Sequence, residues 1–168
     1  MQSELVDDGL IRDEVIVIET NLDDVTGELL GWLMARLLAA GALDVSYTAM
    51  QMKKNRPATL VRVIARPGDA DRLAFALIRD TPTLGVRMTP MQRLIARRRE
   101  ETVISPLGAV AVKLKLLGER IAAVSPEFDD CERIAATLGL PLGEVMGRIN
   151  AWLREHFQLD EQQFPDVK

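Results

Sequence analysis

Cysteine and histidine are nearly missing from this chain: Cys131 and His156 stand alone among 168 residues. One cysteine excludes a disulfide framework, a CxxC pair and a zinc-type cluster. One histidine removes multi-His metal sites and, within this chain, Ser-His-Asp and Cys-His catalysis. Any metal held here would be held by oxygen ligands. Long apolar runs are absent too: no stretch approaches the roughly 18 residues of a membrane span. The opening M-Q-S-E-L-V-D-D has the wrong charge for a signal peptide. The expectation is a soluble cytoplasmic protein with no membrane partner.

What is present suffices for a core. The composition, 48% hydrophobic and 27% charged, fits one globular unit or one and a half. The net charge is only −4 but unevenly spread: residues 1–30 carry nine Asp/Glu against one Arg. Basic residues gather at 53–66, 87–99 and 113–115. Segregation of this kind suggests an anionic ligand or protomers docking opposite faces, hence a homo-oligomer, against the plainer reading of a mixed solvated surface.

Residues 1–13 read as an acidic tail or linker. Val15–Ile18 is apolar without alternation and predicts a central strand. From Gly27 to about Ala40, Leu29, Leu30, Leu33, Met34, Leu37 and Leu38 fall on one helical face; Thr26 is placed as N-cap and Gly41 closes the helix. Leu43–Ala49 and Thr59–Arg66 predict a hairpin with a basic tip, Lys53-Lys54-Asn55-Arg56. A helix over 70–79 and a strand near Val86 complete a β-α-β-β-α-β order. The fold class is therefore α+β: a ferredoxin-like βαββαβ sandwich over 14–100. Residues 101–157 add an antiparallel β-ribbon and a C-terminal helical hairpin, with Ser125 and Pro126 expected to open the first of its two helices. Residues 158–168 are expected to be a disordered tail.

Three places carry candidate chemistry. Glu19-Thr20-Asn21-Leu22-Asp23-Asp24 gathers oxygen donors where a strand ends and a helix begins; Asp23 and Asp24 either answer the helix dipole or help hold a hard divalent cation. Lys53, Lys54 and Arg56 suit a polyphosphate or are a solvated hairpin tip. Asp129 and Asp130 sit where a helix begins, beside Cys131, which falls on the apolar side as a small hydrophobe. Ala135, Gly139 and Val145 match helix-turn-helix spacing. The following helix has no basic excess, so nucleic acid is not expected.

E-T-N-L-D-D-V-T-G-E at 19–28, G-A-L-D-V at 41–45, Q-M-K-K-N-R-P at 51–57, T-L-G-V-R at 83–87 and P-E-F-D-D-C at 126–131 together resemble the C-terminal region of one family, the nickel-insertion proteins of nickel-pincer cofactor biosynthesis (LarC). The resemblance implies insertion of Ni²⁺, as substrate, into pyridinium-3,5-bisthiocarboxylic acid mononucleotide, with consumption of CTP and Mg²⁺ or Mn²⁺. It implies an N-terminal region as partner, often His-rich in the family, and a product that serves lactate racemase. Combined with the residue reading, it gives Asp23 and Asp24 the metal, with Glu19 and Asn21 as further candidates. Lys53, Lys54 and Arg56 take the triphosphate, and Asp129 and Asp130 contact the nucleotide or a metal; no catalytic residue is assigned. Ala58 departs from the glycine frequent after Arg-Pro in the family. The competing readings are an effector-binding or DNA-linked regulator and a structural oligomerisation module.

Overall fold

A computed structural model describes residues 4–5 and 9–159. The described residues form seven strands and four helices, a mixed α and β fold. They divide into two compact units, each with its own core: one spans Arg12–Arg93, the other joins Glu4–Ile11 to the chain from Leu94 onward. The division falls inside a strand, against an expected one after residue 100.

In the first unit, β2 (Leu10–Leu22), β3 (Asp44–Met52), β4 (Arg56–Ala65) and the start of β5 (Arg87–Ser105) lie in the order β3-β4-β2-β5. The pairs β2·β4 and β3·β4 are antiparallel. Residues 10–13, expected in the acidic tail, begin β2 instead. Leu10-Ile11-Arg12-Asp13 lacks apolar–polar alternation and lies beside acidic residues, so local pattern did not mark it as strand.

α1 (Gly27–Ala39) starts as expected, with the Thr26 hydroxyl accepting from Leu29 N–H at 3.2 Å. Gly41, at φ +93°, lets the chain turn out of it. Leu33 and Leu37 are fully buried, whereas Leu38 is exposed. α2 (Ala70–Asp80) buries Ala70, Leu73, Ala74 and Leu77. Both helices pack on Ile18, Leu22, Val45, Val61, Val63 and Ala65. Those residues occupy one face of the strands, and the register puts the alternate residues on the other: Glu19 opposite Arg62, Asn21 opposite Leu60, Met50 opposite Ala58. That second face carries the charged residues.

In the second unit β5 continues to Ser105, then β6 (Gly108–Leu117) and β7 (Arg120–Pro126) follow in the order β5-β6-β7; β1 (Glu4–Leu5) pairs with β2. Val110, Val112 and Leu114 are buried against α3 (Phe128–Leu138) and α4 (Leu142–His156). The expected helix start at Ser125-Pro126 is a correction. Both residues finish β7, opposite Lys113 and Val112, and Glu127 is the cap residue. Glu127 N–H donates to Ala111 carbonyl at 2.8 Å, so ladder hydrogen bonding reaches past the proline. Gly139 closes α3 at φ +65°, a left-handed residue suited to glycine. Within the expected tail, Gln158 and Leu159 hydrogen-bond back to Glu155 and Arg154, and 160–168 lie outside the described residues.

Candidate functional site

The end of β2 and the tip of the β3–β4 hairpin meet on the charged face. Lys53–Asn55 form a short 3-10 turn in which Lys54 and Asn55 both take positive φ, 60° and 56°. For non-glycine residues such backbone costs about 1 kcal/mol each and recurs at ligand-holding turns. Lys53 and Lys54 make no ion pair with a described residue. Arg56, at the first position of β4, is different: its Nη1 donates to Asp23 Oδ2 at 3.0 Å. The turn therefore delivers two uncompensated ammonium groups beside one guanidinium that clasps a carboxylate. Asp24, next in sequence, is exposed.

Two residues back along β2, the carboxylate and amide are tied down. Arg62 Nε donates to Glu19 Oε1 at 2.8 Å and its Nη2 reaches the same oxygen at 2.7 Å. Arg87 Nη2 donates to Asn21 Oδ1 at 2.8 Å and lies 3.9 Å from Glu19 Oε2. Arg87 is held in turn by the loop before it. Thr20, 2% exposed, shares a 2.6 Å hydroxyl hydrogen bond with Thr83 and donates to Gly85 carbonyl at 3.2 Å. Thr81 Oγ1 donates to Leu77 carbonyl at 2.6 Å, tying the same loop to the end of α2.

These contacts decide what the site can hold. Glu19, Asn21 and Asp23 each have an oxygen engaged by arginine, and no three Asp, Glu, His or Cys side chains converge as a cation cage among the described residues. Such a donor set fits Mg²⁺ or Mn²⁺ arriving with phosphate, because Mg²⁺ is usually held by one or two carboxylates plus phosphate oxygens and water. It does not fit a cation bound by protein alone. Arg62, Arg87, Thr20 and Thr83 carry no role in the sequence reading. Their signals were a threonine between Glu19 and Asn21, just past the apolar run Val15–Ile18, and the T-L-G-V-R motif.

The other predicted residues lie in the second unit. Asp130 Oδ2 accepts from Ala111 N–H at 2.8 Å and Oδ1 from Arg133 at 2.7 Å, an arrangement that ties α3 to β6. The Ala111 N–H, with Arg133 beside it, lowers the Asp130 pKa below the ordinary carboxylate value. Asp129 stays exposed. Cys131 is fully buried, and that burial, with Asp130 nearby, pushes its thiol up. It packs as a hydrophobe rather than serving as a nucleophile.

Fold and site together define a mixed α and β protein whose first-unit sheet carries arginine-braced carboxylate and amide oxygens on the face away from its helices. The family follows from comparison: the model of the nickel insertion protein family matches residues 4–146, and the chain belongs to that family. A putative nickel insertion protein of Geobacter sulfurreducens is 49% identical over 140 residues, covering 83% of this chain and 36% of that protein. A pyridinium-3,5-bisthiocarboxylic acid mononucleotide nickel insertion protein of Acetivibrio thermocellus is 40% identical, covering 83% and 34%. The chain thus spans about a third of the length of the curated relatives it matches. Among solved structures, LarC2, the C-terminal domain of a cyclometallase involved in synthesis of the NPN cofactor of lactate racemase, superposes with a TM-score of 0.80. The two share 41% identity over 84% of this chain and 98% of that one. A protein of Methanopyrus kandleri gives a TM-score of 0.61 at 26% identity, over 83% and 88%.

Proposed function

We propose that this chain is the nucleotide- and metal-binding part of a CTP-dependent nickel insertase, acting on pyridinium-3,5-bisthiocarboxylic acid mononucleotide to form the nickel-pincer cofactor. Family membership supports the reaction class. The observation that carries the nucleotide assignment is the hairpin tip, where Lys53 and Lys54 lack carboxylate partners among the described residues, beside the Arg56–Asp23 pair.

In this reading Lys53, Lys54 and Arg56 hold the triphosphate, the two lysines as point charges and the arginine as a fork. Phosphate oxygens draw Arg56 away from Asp23. The freed Asp23, with Asp24, then takes the Mg²⁺ or Mn²⁺ that the triphosphate carries. Glu19 and Asn21, engaged by arginine, stand further from that role. Of the 129–130 pair, Asp130 is engaged by Ala111 N–H and Arg133, so Asp129 is the carboxylate left open to a nucleotide or metal. Ni²⁺ is the substrate, and the remaining part of the longer relatives is the partner that completes the enzyme. A homo-oligomer suits the segregated charge. The element order β-α-β-β-α-β and strand order β3-β4-β2-β5 support a ferredoxin-like first unit.

Calorimetric titration of the chain with CTP, with and without Mn²⁺ and with ATP as control, tests the reading. Metal-dependent, CTP-selective binding is expected. A folded chain that binds no nucleotide would refute it.

A further inference from the structure

The helix layer of the first unit leaves two large aromatic side chains in the open. Trp32 on α1 is 50% exposed and Phe75 on α2 is 64% exposed, and both line one groove whose floor is built from alanines of the two helices. Arg36, Arg72 and Arg79 edge the same groove. Aromatic side chains and arginine gathered on an otherwise apolar patch have the composition of an interface core.

The arginines are set in place by the fold. Arg36 lies 5.2 Å over the Trp32 ring, and its Nε and that of Arg79 each donate to Asp80 at 2.6 Å. Arg72 donates to Ala40 carbonyl at 2.5 Å and to Asp69 at 2.6 Å. A guanidinium has five N–H donors, so each keeps some to spare. Three guanidiniums share two carboxylates, Asp69 and Asp80, and the groove is left with a surplus cation.

α3 of the second unit carries the complement. Its Phe128 is 52% exposed. Of the acids around it, Glu127 is held by Lys113 at 2.6 Å and Asp130 by Ala111 N–H and Arg133. Asp129 and Glu132 are exposed and make no ion pair with a described residue. Glu132, four positions on, is the one that shares the side of the helix on which Phe128 stands. The chain thus offers a phenyl ring with a free carboxylate on one surface, and an aromatic groove with a surplus cation on another. Two grooves facing each other would instead set three guanidiniums against three.

We propose that the α1–α2 groove receives α3 of a second copy of this chain, with the Phe128 ring between Trp32 and Phe75 and Glu132 among the arginines. This names the surfaces of the homo-oligomer that the segregated charge suggests, and it rests on that reading. The contact joins unlike surfaces, so each copy gives one and receives one, and repetition builds a ring or a chain rather than a two-fold pair.

Sedimentation velocity of the whole chain over a concentration series tests this, for the unaltered protein, Phe75→Ala, Phe128→Ala and the double variant, with thermal melts confirming that each folds. Each single change is expected to weaken association by about tenfold or more, as truncating an aromatic anchor does. The double variant is expected to lose less than the product of the two single effects, because rings that touch share one interaction energy. In a Trp152→Phe background, Trp32 emission should shift to the blue as the chain associates. If the unaltered chain stays monomeric at every concentration, the contact and the homo-oligomer fall together. If it associates and neither change weakens it, or the two effects multiply in full, the contact falls while the homo-oligomer stands.

Discussion

Replacing Thr20 by valine probes the joint on which the site depends. The two side chains are nearly the same shape, so the change removes hydroxyl chemistry without opening a large cavity. Thr20 is 2% exposed and engages Thr83 Oγ1 at 2.6 Å and Gly85 carbonyl at 3.2 Å. Two hydroxyl protons serve these contacts, so with Thr83 donating to Gly85 carbonyl at 2.8 Å the loop loses one hydrogen bond and leaves no isolated polar atom. The expected cost is about 1–2 kcal/mol. Because each unit has its own core, a single global transition cannot be assumed. Trp32 belongs to the first unit and Trp152 to the second, so Trp152→Phe leaves a fluorescence reporter specific to the unit that holds Thr20. Urea unfolding in that background should shift the midpoint down by about 0.5–1 M, taking a slope of about 2 kcal/mol per M. Thr83→Ala should couple to Thr20→Val by about 1 kcal/mol in a double-mutant cycle. If the two changes add without coupling, the Thr20–Thr83 contact is not what holds the loop.

Lys53→Glu should lower CTP affinity by at least tenfold with an unchanged melting temperature, because it reverses a charge that stabilises nothing in the resting fold; unchanged affinity would remove the phosphate from the tip. Arg56→Ala should weaken CTP binding yet strengthen Mn²⁺ binding measured without nucleotide, since it frees Asp23; loss of both would contradict the exchange of partners. Asp80, held by Arg79 and then Arg36, has its pKa lowered to about 2. Its depressed value means that its contribution is complete above about pH 4, the ordinary carboxylate value, and disappears as pH falls through 2. Acid titration of stability should thus lose about 1 kcal/mol over that window in the parent and not in Asp80→Asn. Cys131 should resist thiol reagents until the second unit unfolds, and reaction in the native state at the rate of a free thiol would contradict its burial.

Periodicity carried the fold where one face of an element is buried and the other wet. Val61, Val63 and Ala65 share one face with Arg62 and Arg66 on the other and lie fully buried, and the helix over 27–39 could be read from its leucines together with Thr26 and Gly41. The pattern failed where long-range pairing overrode a local signal. Ser125-Pro126 has the composition of a helix start, but hydrogen bonding to β6 is worth more there than a cap, so the helix begins two residues later. β5 was broken in the reading because its charges change character near Arg99, yet a strand is defined by its neighbours, and pairing from Arg97 to Ser105 with β6 keeps it continuous.

The site was legible as a set of residues but not as a set of states. Glu19, Asn21, Asp23 and Asp24 look equivalent in sequence: four oxygen donors within six positions. What separates them is which arginine, if any, each meets, and those arginines come from 33, 43 and 66 positions away, through pairings of β4 and β5 that no local pattern specifies. Strand alternation sends Glu19 and Asn21 onto the same face as Arg62, which makes them a braced pair with outward valences left over. Asp23 lies past the strand end and meets Arg56 alone, across an exposed contact worth little in itself. A weak ion pair is easily exchanged for a stronger one with phosphate. The same carboxylate chemistry is thereby divided into a part braced across the strands and a part held by one exposed contact.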